Sequence, residues 1–196
     1  MRSKEDLVLA SEDIFYELWM LSKLREMILA LPSHQVPEDE VEEAERQAYT
    51  HTSHVETFFW SSEPDRLNPP PERLVVEHNS LVEAFALHSR VLMEFFYAKP
   101  NPKFPDDVRA EQYFVSPDEW HKLRPTLSKE DYDGIRNRVG KEIAHLTYAR
   151  QLVSPEDKPW PISWMSSVLD EAASAFVSAV DEGLVHPLLR VNHSKT

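Results

Sequence analysis

The stretch from Leu81 to Tyr97 constrains the fold more than any other part of the chain. It reads Leu-Val-Glu-Ala-Phe-Ala-Leu-His-Ser-Arg-Val-Leu-Met-Glu-Phe-Phe-Tyr, without glycine or proline. Its apolar side chains fall on nearly every side of a helical wheel. A helix of that kind buries its surface only when other helices surround it, so the segment predicts the central member of a bundle. The stiff connector Asn68-Pro69-Pro70-Pro71 stands before it, and the helix is predicted over 72–98.

Four further segments repeat apolar residues at steps of three and four. The first is predicted over 11–31, with Ser11 as N-cap, Glu12 and Asp13 behind it, and Ile14, Phe15, Leu18, Leu21, Leu24, Ile28 and Leu31 as its stripe. Pro32 ends it. The second, over 38–60, starts behind Pro37 and carries Val41, Ala44, Ala48, Val55 and Phe59 beneath an acidic outer face. Ser128 caps a helix over 129–153, striped by Tyr132, Ile135, Val139, Ile143 and Leu146. The last, over 163–183, carries Met165, Val168, Leu169, Ala172, Phe176, Ala179 and Val180, and Gly183 is expected to close it in the left-handed conformation.

Between the third and fourth helices, residues 99–127 hold Pro100, Pro102, Pro105 and Pro117. Ser116-Pro117-Asp118-Glu119 caps one short turn there, and a loop of this length is expected to serve function. No segment shows the alternation of a strand. The expectation is one all-α domain over 1–196, an antiparallel bundle of about five helices with one Pro-rich excursion.

Composition narrows the chemistry. The chain has no cysteine, which removes disulfides, thiolate metal sites and a thiol nucleophile and points to the cytoplasm. No apolar run follows Met1-Arg2-Ser3-Lys4, and no stretch approaches the roughly 20 apolar residues of a membrane span. Neither a signal peptide nor a membrane anchor is expected. A formal net charge of -13 repels polyanions at long range, so a nucleic-acid contact needs a local basic patch. One such patch lies between His121 and Gln151. There Lys122, Arg124, Lys129, Arg136, Arg138, Lys141 and Arg150 stand against Glu130, Asp131, Asp133 and Glu142, a net +3.

Within that patch Arg138 and His145 are seven residues apart, so on an α-helix they point within about 20° of each other at the margin of the apolar stripe. An arginine and a histidine so placed can hold a phosphate and move a proton, as RNA cleavage through the 2′-hydroxyl requires. A solvated helix flank with a histidine near the helix end accounts for the same residues.

Arg138, six intervening residues and His145, on a late helix of an all-α bundle, resemble the R-x4-6-H signature of the HEPN superfamily. The resemblance implies a metal-independent endoribonuclease of a defence or toxin-antitoxin type, acting on RNA with no cofactor and no metal. It implies a homodimer in which two motifs meet, with Arg138 and His145 catalytic and Lys141, Tyr148 and Arg136 holding the substrate. Members often carry a polar residue after the arginine, where Val139 stands here. The strings Leu87-His88-Ser89-Arg90-Val91-Leu92, Asp106-Asp107-Val108-Arg109-Ala110-Glu111 and Lys141-Glu142-Ile143-Ala144-His145-Leu146-Thr147-Tyr148 are also similar to a group of uncharacterised bacterial proteins. That similarity covers about residues 80 to 150 and brings no activity with it.

Other polar residues need placing. Glu83, Arg90 and Glu94 fall within about 40° on the central helix and are expected to form a polar network among themselves. His88, on the opposite face, reads as a hydrogen-bonded core histidine. A metal-binding four-helix bundle is a rival reading, built on His51 and His54 and on Glu142-Ile-Ala-His145, with Asp118-Glu-Trp-His121 as a poor second copy. A non-enzymatic interaction or adaptor bundle with a protein partner is another, with Trp160 and Trp164 as aromatic anchors or as simple covers for the bundle's end.

Overall fold

The computed structural model describes residues 2–30, 72–144 and 160–191. Over these residues the protein is an all-α helical bundle, and no strand occurs among them. The helices are α1 (Lys4–Ala30), α2 (Glu72–Tyr97), α3 (Pro117–Leu123), α4 (Lys129–Arg138), α5 (Ile162–Ala179) and α6 (Pro187–Val191). The helix expected over 38–60, with His51 and His54, lies outside the described residues, as does the end of the fourth segment.

α1 begins earlier than its periodicity suggested. The Ser3 hydroxyl accepts from the Asp6 amide at 3.1 Å, and the Ser3 amide donates to the Asp6 carboxylate at 3.1 Å, a reciprocal cap that starts the helix a full two turns upstream. Ser11 is therefore not an N-cap. It is buried inside α1, where its hydroxyl donates to the Val8 carbonyl and accepts from the His186 amide, both at 2.6 Å.

Named contacts set the directions. The start of α1 meets the turn after α5, where Ser11 binds His186, and further along α1 Arg25 pairs with Asp170 at 2.7 Å. α1 and α5 thus run antiparallel. Leu7 accepts a hydrogen bond from Tyr113, whose ring packs on Phe95 near the end of α2, so α1 and α2 also run antiparallel. On the other side of α2, Arg136 reaches Glu94 while Gly140 faces Arg90, which makes α4 antiparallel to α2. α2 touches α1, α4 and α5, the central position expected of it. One side of it nonetheless faces solvent, through Val76, Leu87 and Val91.

The Pro-rich excursion is a packed part of the core. A 3-10 turn, Ala110–Tyr113, and α3, capped by the Ser116 hydroxyl, carry Tyr113, Phe114 and Trp120 onto Phe95, Phe96 and Phe176 at ring separations of 5.3–6.1 Å. These separations and the mostly edge-to-face angles suit aromatic pairs. The last carbonyls of α2 lack partners within their own helix. The Trp120 indole donates to the Phe96 carbonyl at 2.8 Å and Arg124 to the same oxygen at 3.2 Å, with the Arg124 guanidinium 5.3 Å above the Tyr97 ring. The excursion therefore caps α2 and closes that end of the bundle.

α5 ends at Ala179, and Gly183 does not close it in a left-handed conformation. No described glycine has a positive φ. Gly183 sits in a 3-10 turn, Glu182–Leu184, and its amide is held by the Asp181 carboxylate at 2.7 Å. The carboxylate caps the start of that 3-10 turn, and the end of α5 is closed by the Val180 amide donating to the Phe176 carbonyl at 2.9 Å.

Candidate functional site at the end of α4

Ser128 starts α4 as the sequence predicts, accepting from the Asp131 amide at 3.0 Å. Ile135 and Val139 are buried against the core. From Val139 to Ala144 the backbone then widens into a π-turn, a form found most often as single turns at functional sites. A Cβ at Gly140 would meet only the tip of Arg90, at 3.8 Å, so space does not demand a glycine there. The alignment of Arg138 with His145 presupposes α geometry between them, and an i→i+5 turn rotates every later side chain back around the axis. His145 and Tyr148 lie outside the described residues.

Arg138 is held on an edge and on a face. Its Nε donates to both carboxylate oxygens of Glu142, at 3.1 and 3.0 Å, and its guanidinium carbon lies 4.2 Å from the centre of the Trp160 ring. The Arg138 side chain is 19 % exposed and that of Glu142 9 %. Trp160 itself is buried, so it forms the floor beneath Arg138 and not an exposed anchor, whereas Trp164 is partly exposed. Burial strengthens both contacts relative to a surface pair, since little water competes with them. The sequence offers Glu142 as part of a metal motif and as one of the acids within the basic patch, not as the partner of Arg138. The signal for its actual role was present, because opposite charges four residues apart face each other on a helix.

Arg136 and Lys141 lie beside this pair, and both are exposed. Arg136 reaches across to α2, where Glu94 Oε1 accepts from it at 3.2 Å and from Arg90 at 3.1 Å. The polar set on α2 thus extends to α4 through Glu94. Glu83 is seven residues from Arg90, about 10 Å along the axis, and makes no ion pair with it or with Glu94 among the described residues. Arg136 and Arg138, two residues apart on α4, point about 160° from each other, the first to Glu94 of α2 and the second to Glu142 and Trp160. His88 is part-buried and lies elsewhere, with its Nδ1 2.7 Å from Glu17 Oε2.

A second charged cluster was not singled out from the sequence. Arg109 and Glu111 are both buried in the excursion. Glu111 stands 3.6 Å from Arg109 Nε through one oxygen and 3.2 Å from His121 Nε2 through the other. Among the described residues no group of three or more His, Asp or Glu side chains is placed to hold a metal ion. No described helix is long and apolar enough to cross a membrane.

No protein-family model matches the chain, and neither curated proteins nor solved structures give a match.

Proposed function

We propose that the protein is a HEPN-like helical protein that binds RNA along the α4 edge and cleaves it there without a metal, in the cytoplasm. The observation that carries this reading is Arg138. An arginine fixed by Glu142 and by the Trp160 face at the start of a π-turn has its charge set in place before a substrate arrives, and preorganised charge is what stabilises a phosphorane. Arg136, Lys141 and Tyr148 hold the backbone phosphates. His145 takes the proton of the 2′-hydroxyl or returns one to the leaving 5′-oxygen. A homodimer supplies the second motif.

The test is cleavage of total RNA by the wild type, His145→Ala and Arg138→Ala, each with and without EDTA. The expected result is EDTA-resistant cleavage that falls by about two to four decades in His145→Ala, the usual worth of a positioned acid-base group. Activity lost to EDTA would move the assignment to a metal site.

The same arginine favours a second reading, a non-enzymatic interaction bundle with a protein partner. A guanidinium that pairs with both oxygens of a buried carboxylate and lies on a buried indole also holds a helix end in place. On that reading no sample cleaves RNA and Arg138→Ala destabilises the fold, because it leaves Glu142 charged and poorly hydrated.

A further inference from the structure

α1 and α2 turn apolar side chains outward as well as inward. Leu7, Ile14, Leu21, Leu24 and Ile28 of α1 are buried in the bundle. Leu9, Tyr16 and Met27 share another side of that helix within about 20°, with Trp19 beside them, and these four, like Leu87 and Val91 of α2, are 42–67 % exposed. The two helices are joined at this point, since Tyr16 lies edge-on to His88 with ring centres 6.1 Å apart, and Glu17 meets His88 Nδ1 at 2.7 Å. Leu87 adjoins His88 in the chain, and Val91 lies one turn on, within about 40° of Leu87. The outward residues of the two helices therefore adjoin along one seam. Isolated exposed apolar residues are ordinary, but large ones gathered on two paired helices mark a contact surface.

The charges around the seam give the sign of its occupant. Glu5, Glu12 and Asp13 are exposed within about 60° of Tyr16 on α1, and Glu83 stands partly exposed one turn before Leu87 on α2. Lys23, on the same side of α1, pairs with Glu26 at 2.7 Å, and Arg90, next to Val91, pairs with Glu94 at 3.1 Å. A lipid surface or a nucleic acid brings negative charge to these carboxylates, and a second copy brings the same carboxylates again, so all three are disfavoured. We propose that this face docks a basic amphipathic helix of a protein partner. Such a helix lies along the shallow groove between α1 and α2, with apolar residues at steps of three and four on Leu9, Leu87 and Val91. The Tyr16 and Trp19 rings, 6.5 Å apart and tilted by 33°, stand beside the Glu12 and Asp13 carboxylates, and an aromatic pair edged by acids takes the apolar stem and charged head of a lysine or arginine. Docking here uses neither Arg138 nor His145, so it holds whether or not the α4 end cleaves RNA.

The test is isothermal titration calorimetry of the full chain at low salt, with an amphipathic Leu/Lys peptide of about five helical turns and with its Leu/Glu counterpart. The Leu/Lys peptide is expected to bind, one per chain, with a Kd on the order of micromolar, and to bind more weakly as salt screens the carboxylates. The Leu/Glu peptide is expected not to bind. Tyr16→Ala and Leu87→Ala should each weaken binding by about tenfold, with circular dichroism spectra unchanged because both side chains are exposed. Asp13→Lys should also weaken it by about tenfold. Glu130→Lys makes the same change of charge at an exposed position on α4 and should leave the affinity as it is, which separates docking on this face from attraction to an acidic protein in general. No binding of the Leu/Lys peptide, as another part of the same chain lying over the face would give, overturns the proposal. So does equal binding of the two peptides, or a Glu130→Lys variant as impaired as Asp13→Lys. A peptide-free mass of twice 22.8 kDa that Tyr16→Asp halves would make a second copy the occupant and overturn it as well.

Discussion

Replacing Trp120 tests whether the Pro-rich excursion belongs to the core or merely crosses its surface. Its indole is 1 % exposed, lies within 6 Å of the Phe96, Phe114 and Phe176 rings, and donates to the Phe96 carbonyl at 2.8 Å. Trp120→Ala removes the ring and leaves a cavity, a change that costs about 3–5 kcal/mol in a packed core. In a chain of this length each kcal/mol lowers Tm by about 2–4 °C, so a fall of about 10 °C is expected. Trp120→Phe keeps most of the ring and loses the hydrogen bond, but the Phe96 carbonyl keeps Arg124 at 3.2 Å, which limits the cost to about 1–2 kcal/mol. The double variant Trp120→Phe/Arg124→Ala strips that carbonyl of both donors. It should exceed the sum of the single variants by about 1 kcal/mol, because the two side chains share one acceptor. Urea unfolding followed by circular dichroism gives all these values. A Trp120→Ala cost below about 1 kcal/mol would refute the packing argument, and strict additivity in the double variant would refute the shared cap.

Ser11→Ala removes the acceptor of the His186 amide and should cost about 1–3 kcal/mol in the same assay, the penalty of an amide left without its partner. Burial pushes the Tyr97 hydroxyl up to about 12 and raises that of Tyr113 in the same direction, with the Asp13 charge adding to the second. The folded state therefore holds both protons after the unfolded chain has released them. Stability should be level below pH about 10 and fall between about 10 and 12, and Tyr97→Phe should reduce that fall, as urea midpoints against pH will report. His78 is shifted the other way, because burial lowers its pKa. Its contribution should be present above pH about 6.5 and lost as the pH falls below that value, a loss that His78→Gln should diminish.

Periodicity and punctuation alone determined the all-α class, the extent of α2, and the starts of α3 and α4 at Ser116 and Ser128, because each depends on bonds between residues a few positions apart. The same locality made the Arg138–Glu142 pair legible in principle, at four residues' spacing. Tertiary structure decided the rest. Ser11 had the right residue type for a cap, but the reciprocal bonds of Ser3 and Asp6 start α1 first, and burial against the turn after α5 gave its hydroxyl a partner 175 residues away. The aromatic residues of the excursion read as a loop because prolines break periodicity, while their packing depends on Phe95, Phe96 and Phe176 in other helices. The π-turn at Val139–Ala144 has no spacing signal, and the contact of the Trp160 ring with Arg138 joins residues far apart in the chain. A hydrophobic pattern records which faces of the chain are buried. What each face is buried against is settled only when the helices meet.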